Sequence, residues 1–317
     1  MTYRTLLVGL GKIGFGYSGH TKKSDALLTH TEAILSHQDF ELTLGIDPNP
    51  LVRAQFEDST KLQTLESVSN IRDVEQFDLV VIATPTQYHE ETLREILRLT
   101  PRAVLMEKPL SPDLEGAKRI KELLQESDVK LAMNFQRSYT LEILDIARKI
   151  ALGDLPGPYH VNLRYTGIPK NAGTHILSII QTLFPAEYQL IMKDGNGSCI
   201  FYSEFHKAKI VIERVENFPG NIFEFTLLSA KGEIAYNSPR GTITERGFHP
   251  QEYYENEITI EKSGTTLTLS ENKSLGIVYD QLSSYLSRKE FHLLEVEHGI
   301  NNNLLIELFL ESKTNEI

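Results

Sequence analysis

Residues 6–16 read "LLVGLGKIGFG", an apolar run, Leu6–Val8, that breaks into Gly9, Gly11 and Gly14 at the spacing G-x-G-x-x-G. A short run of apolar residues with no polar alternation suits a strand buried on both faces. Three glycines directly after it then ask what the backbone must approach so closely. In a strand–turn–helix unit the first glycine permits a tight turn and the second lets a pyrophosphate come near the main chain. The third lets the helix pack on the sheet. Lys12 and Ile13, between the glycines, belong to the same expected cradle. Taken alone, the spacing describes an ordinary glycine-rich turn equally well, so the surrounding pattern decides.

That pattern is alternating. Strand-like runs at Thr5–Val8, Leu42–Ile46, Leu79–Ala83, Ala103–Met106 and Val129–Met133 are separated by amphipathic segments such as 90–99 and 112–125. Apolar strands joined by helices predict a parallel sheet covered on both faces. After a helix near Leu141–Leu152 the period changes to two, with strands predicted at 160–166, 199–204, 209–213, 222–228, 257–261 and 265–269. Most connections there are too short for crossover helices, which predicts antiparallel pairing. A last helix is expected over 293–312. The fold class is therefore α/β: a doubly wound Rossmann domain over 1–134, which binds NAD(P), then an α+β domain over 135–317 with a mainly antiparallel open sheet. The second domain is expected to bind substrate and to carry oligomerisation.

Composition narrows the function. The chain has 317 residues, 32 basic against 43 acidic, for a net charge of −11. That balance opposes a nucleic-acid or anionic-membrane surface, although amides at a helix start can hold phosphate on an acidic protein. The single cysteine, Cys199, lies in the alternating segment "SCIFYSEF", as a buried strand residue would. No His/Asp/Glu cluster has metal-ligand spacing, so no metal is expected. The N-terminal apolar run is too short for a signal peptide, and no segment reaches the length of a membrane span. A cytoplasmic location is expected, with the sequons at Asn196 and Asn272 unused.

Three further stretches carry chemistry. The second strand ends in Asp47, where a carboxylate can accept ribose hydroxyls and repel a 2′-phosphate, favouring NAD with NADP still possible. Asp47 followed by Pro48 also suits a plain turn. The interval from Gly14 exceeds the roughly 20 residues of the usual fingerprint, with the excess placed in "FGYSGHTKKSDALLTH" at 15–30. The third strand ends "VIATPTQYHEE", so Thr84 and Pro85 fall at the carboxyl edge of the sheet and His89 opens the next helix, either structural or cofactor-proximal. The fourth runs into Glu107-Lys108-Pro109, with Ser111 expected to cap the following helix and Pro112 at its first position. Lys108 there could position a nicotinamide and lower the pKa of a bound alcohol; it could equally be an exposed lysine before a stop.

Taken in order, G-x-G-x-x-G, a strand-end Asp, A-T-P-T-x-x-H and E-K-P resemble the glucose–fructose oxidoreductase/inositol dehydrogenase (Gfo/Idh/MocA) family. The resemblance implies hydride transfer between a nicotinamide and a secondary alcohol of a sugar, polyol or nucleotide sugar. It implies that Lys108 is catalytic, that Gly9, Gly11, Gly14, Asp47, Thr84, Pro85, His89, Glu107 and Asn134 border the cofactor, and that Gln136 and Arg137 border the substrate. It also implies a homodimer or homotetramer.

The stretch 170–184, "KNAGTHILSIIQTLF", places Asn171, His175, Ser178 and Thr182 on one helical stripe. The family pattern there is an acid followed four residues later by a histidine, with a further acid three residues on. This chain keeps His175, expected as an acid/base, but has Asn171 and Ser178 in place of the acids. Asn171 can bind substrate but takes no proton. Two other functions stay open: NAD-dependent oxidation, elimination and re-reduction, or a dinucleotide-binding sensor without catalysis.

Overall fold

A computed structural model describes residues 2–16, 26–72, 76–251, 257–270, 273–288 and 294–310. Most of the long 15–30 segment, residues 17–25, lies outside the described residues. The chain divides into two compact units, Met1–Tyr139 with Asn272–Leu304, and Thr140–Glu271 with Leu305–Ile317.

The first unit is built on six parallel strands: β1 (Tyr3–Val8), β2 (Phe40–Ile46), β3 (Thr64–Leu65), β4 (Leu79–Ile82), β5 (Ala103–Glu107) and β6 (Lys130–Asn134). Their order is β3-β2-β1-β4-β5-β6, with every pair parallel. This is the doubly wound order, whose chain reversal falls between β1 and β4 and opens a crevice at the strands' carboxyl ends. Helices α1 (His30–Ser36), α2 (Pro50–Thr60), α3 (His89–Leu97) and α4 (Leu114–Gln125) intervene.

Local signals start these helices. Thr29 and Glu32 form a capping box before α1, and Asn49 caps α2 with Pro50 next to it. The cap of α4 differs from expectation. Asp113, not Ser111, accepts the Gly116 amide (2.7 Å), because Ser111 is buried against Gly116, where even a β-carbon would come within 2.1 Å of its hydroxyl.

The second unit begins with α5 (Leu141–Ala151) and β7 (Tyr159–Tyr165). A five-residue π turn, Pro169–Gly173, leads into α6 (Thr174–Leu183). Then follow β8 (Gln189–Lys193), β9 (Cys199–Ser203), β10 (Ala208–Arg214), β11 (Phe223–Ser229), β12 (Gly232–Asn237), β13 (Thr242–Arg246), β14 (Phe248–Pro250), β15 (Ile258–Ile260) and β16 (Thr265–Thr268). Eight strands form an open sheet in the order β16-β13-β12-β11-β7-β10-β9-β8, and β14 pairs with β15 alone. All pairs in the large sheet are antiparallel except β7–β10. The chain runs through α6 between those two strands, which supplies the crossover a parallel pair needs. Alternation works as read: β7 buries Tyr159, Val161, Leu163 and Tyr165 and exposes the residues between.

Two late helices complete the chain, α7 (Ser274–Arg288) and α8 (Val296–Leu310). The sequence reading placed 135–317 in the second domain, whereas α7 and the start of α8 group with the first unit. The reason is apolar burial: Leu275, Val278, Tyr279, Leu282 and Leu286 pack in one core with Leu7, Leu79, Val81 and Leu105 of the parallel sheet. Their spacing is helical, and each buried aliphatic side chain contributes roughly 1.5–3 kcal/mol. Among the described residues no helix is long and apolar enough to cross a membrane.

Candidate active site

The glycine turn is shaped by its contacts. Gly9 has φ +95°, and a β-carbon there would lie 2.6 Å from the Ala83 carbonyl, so the turn after β1 sits against the end of β4. A β-carbon on Gly14 would lie 2.1 Å from the Gly9 carbonyl oxygen, while one on Gly11 would meet nothing within 4 Å among the described residues. Gly9 and Gly14 are thus required by the protein's own backbone, and Gly11 leaves an open cradle. Lys12–Gly16, including Ile13, forms a short π turn, and the Thr31 hydroxyl donates to the Gly14 carbonyl (2.8 Å).

Asp47 holds the turns after β1 and β2 with its two carboxylate oxygens. One carboxylate oxygen accepts the Leu10 amide inside the glycine turn (2.9 Å) and the other accepts the Asn49 amide (2.9 Å). The carboxylate therefore ties the first turn to the second while each oxygen keeps a further lone pair. Arg53 donates to the Asp47 and Pro48 carbonyls, closing that loop from α2.

At the carboxyl ends of β4 and β5 the turns are joined by His89. This ring is fully buried; Nε2 faces the Thr84 carbonyl (3.0 Å) and Nδ1 the Leu110 carbonyl (3.2 Å). Burial lowers its pKa against the pull of those two bonds. With both ring nitrogens facing protein carbonyls, one of them donating, His89 links the Thr84-Pro85 turn to the Glu-Lys-Pro turn and turns neither nitrogen toward a ligand.

Lys108 follows β5 and is half-buried. Burial is the main cause that lowers its pKa; Arg137, in the Gln136–Tyr139 turn after β6, adds to the lowering, and Glu107 opposes it. Glu107 itself points into the protein. One of its oxygens meets Asn134 Nδ2 (2.5 Å) and His30 Nε2 (3.1 Å), and the other accepts the Lys108 amide (3.3 Å). His30 Nδ1 in turn meets the Tyr279 hydroxyl (2.9 Å). Burial pushes the Glu107 pKa up, but these partners outweigh it and hold the group below the ordinary carboxylate range.

The first unit thus brings Lys108, Glu107, Asn134 and Arg137 near one another. His30 and Tyr279 were missed. They stand 77 and 249 residues away from their partners, and only the helical spacing of 275–286 could have drawn attention to Tyr279. A dinucleotide fits what is here. Gly11 leaves room at the backbone, and Thr84 Oγ1 and Asn134 Oδ1 are buried acceptors without a hydrogen-bond partner among the described residues.

In the second unit His175 lies in the first turn of α6, half-buried, with Ser178 fully buried one turn on. Asn171 differs from expectation, since it belongs to the π turn before α6 and is exposed. The stripe therefore passes from solvent at Asn171 to the interior at Ser178, whose carbonyl accepts the Thr182 hydroxyl (2.9 Å). Among the described residues no group of three or more His, Cys, Asp or Glu is placed to hold a metal.

Known proteins share this architecture. The inositol 2-dehydrogenase of Rhizobium meliloti (strain 1021) is 24% identical over 152 residues, which cover 47% of this chain and 41% of that protein. That of Corynebacterium glutamicum (strain ATCC 13032) is 31% identical over 102 residues, covering 32% and 30%. The aligned stretches thus span less than half of these relatives' own lengths. Among solved structures, the WlbA dehydrogenase from Bordetella pertussis, in complex with NADH and UDP-GlcNAcA, superposes with a TM-score of 0.77 at 17% identity, covering 100% of this chain and 96% of that one. An oxidoreductase from Agrobacterium radiobacter, in complex with NAD+, L-tartaric acid and magnesium, gives 0.73 at 15% identity, covering 100% and 98%. Residues 3–135 match the model of the Gfo/Idh/MocA oxidoreductase family, its NAD-binding Rossmann fold, so it is through this domain that the chain is similar to that family.

Proposed function

We propose that this chain is an NAD-dependent oxidoreductase acting on CH–OH groups, with a secondary alcohol of a polyol, sugar or nucleotide sugar as substrate. The observation that carries the reading is Lys108: a half-buried lysine whose pKa is lowered by burial, at the carboxyl end of a strand in an NAD-binding Rossmann fold. The polyhydroxylated ligands of the two solved structures, and the inositol substrate named for the relatives, support the substrate class.

NAD, when bound, supplies the hydride acceptor. Gly9, Gly11, Lys12, Ile13 and Gly14 hold its pyrophosphate, and the spare lone pairs of Asp47 accept ribose hydroxyls while its charge disfavours a 2′-phosphate. Thr84, Pro85 and Asn134 border the nicotinamide half. Lys108 Nζ donates a hydrogen bond to the reacting oxygen and exchanges its proton. His175 is the second acid/base group, and Asn171, Gln136 and Arg137 bind substrate hydroxyls. The same proposal includes a cytoplasmic enzyme that assembles as a homodimer or homotetramer through the open sheet of the second unit.

The test is turnover with NAD and NADP across a panel of inositols, sugars and sugar nucleotides, for wild type, Lys108→Ala and His175→Ala. Turnover that survives both substitutions overturns the assignment. Asn171, standing where the family pattern has an acid, supports a second reading as a dinucleotide-binding sensor; tight NAD binding with no turnover on the whole panel would select it.

A further inference from the structure

Beneath the Glu-Lys-Pro turn lies a linear hydrogen-bonded chain that none of the motifs calls for. The Tyr279 hydroxyl meets His30 Nδ1 at 2.9 Å, and His30 Nε2 meets Glu107 Oε1 at 3.1 Å. Tyr279 and His30 are fully buried, and Glu107 nearly so. One arrangement of protons satisfies every atom: Tyr279 O–H donates to Nδ1, and Nε2–H donates to the carboxylate. The tyrosine thereby selects the histidine tautomer, as second partners of a histidine generally do. Asn134 Nδ2 donates to the same carboxylate oxygen, and the Lys108 amide to the other. Three elements far apart in sequence, α1, α7 and β6, therefore converge on the carboxylate one residue before Lys108.

We propose that Tyr279, His30 and Glu107 are positioning residues for Lys108: the Tyr279–His30 pair keeps the Glu107 carboxylate charged and aimed at the turn, and that charge sets how firmly Lys108 holds its proton. The proposal rests on Lys108 being the acid/base group of the proposed function. The charged and titratable groups that bear on the pair, among the described residues, are His30 from α1, Tyr279 from α7, His89 from α3 and Arg137 from the turn after β6. Arg137 and Glu107 act on Lys108 in opposite senses, while burial lowers its pKa more than either changes it. Removing the carboxylate charge takes away a contribution that holds the lysine's proton, while burial and Arg137 still act against it, so the Lys108 titration moves to lower pH.

The experiment follows Lys108 directly, by carbon-13 NMR of reductively methylated protein, the Lys108 signal being the one absent from Lys108→Arg. In Glu107→Gln the midpoint is expected to fall by about one pH unit or more. Tyr279→Phe frees the histidine tautomer and is expected to shift it in the same direction by less, while Glu107→Asp restores it toward wild type. Circular dichroism confirms folding in each case, and Tyr279→Phe serves as the informative variant if Glu107→Gln does not fold. A midpoint that stays at the wild-type value in the folded variants overturns the inference, since a merely structural carboxylate changes stability without moving it. Because the readout needs no substrate, failure here is distinct from failure of the proposed function, which is decided by turnover of Lys108→Ala.

Discussion

The Glu-Lys-Pro turn of the first unit and the α6 stripe of the second are built on opposite principles. At the first, a buried carboxylate accepts hydrogen bonds from His30, Asn134 and the Lys108 amide, and charged groups bias the lysine from two sides. At the second, His175 follows an exposed Asn171 and precedes a buried Ser178, with no carboxylate at either position. Leaving a buried carboxylate without its hydrogen-bond partners is strongly destabilising, so such an arrangement tolerates little substitution. The exposed Asn171 at the start of the stripe can be altered at little cost to the fold. The hydrogen-bonded carboxylate thus lies in the first unit, and the second unit's stripe carries none of the acids of the family pattern at 171 and 178.

The most direct way to break this comparison is to remove each unit's proposed acid/base group. Lys108→Ala is expected to lower kcat by about 10³-fold and His175→Ala by about 10²-fold, with both proteins folded; steady-state turnover on the substrate panel reads both. A larger loss at His175 would reverse the comparison.

Next in size is the glycine turn. Gly14→Ala forces a methyl group into the Gly9 carbonyl and is expected to cost about 3 kcal/mol in stability together with NAD affinity. Gly11→Ala meets nothing among the described residues, so thermal unfolding should be unchanged while NAD titration shows weaker binding. Equal thermal losses in the two variants would contradict the open cradle.

The third effect concerns acid stability. His298, on α8, packs against Phe135 with ring centroids 5.3 Å apart, and burial lowers its pKa to about 4 from an ordinary 6.5. Between those values the unfolded chain binds a proton that the folded protein refuses. Stability therefore rises with pH across that window and is lost on acidification from 6.5 toward 4, by up to about 3 kcal/mol. His298→Phe should flatten that loss in unfolding curves taken from neutral to acid pH; an unchanged slope would exclude His298 as the cause.

The smallest effect sharpens the second unit. Asn171→Asp restores a carboxylate four residues before His175. It is expected to raise, by about one pH unit, the limb of the kcat profile that disappears in His175→Ala. A profile that does not move would mean that the π turn holds residue 171 out of reach of the histidine.

Much of this molecule is legible in its sequence, for a physical reason. Burial on both faces leaves an apolar run, half-burial leaves alternation, and a backbone that must pass close to another backbone admits only glycine. So the parallel and antiparallel halves, the glycine turn and the placement of Lys108 after β5 are all local signals, present within a dozen residues of where they act. What only the tertiary structure decided depends on distance along the chain. The return of α7 to the parallel sheet, the two-sided use of Asp47, the His89 link between turns, and the Tyr279–His30–Glu107 chain each join residues whose pairing no local pattern encodes. The displacement of Asn171 from α6 is a matter of backbone geometry, since a π turn changes the angular step that a helical wheel assumes. The sequence by itself determined the alternating halves and the glycine turn, because those signals are local; folding decided which distant side chains hold one another.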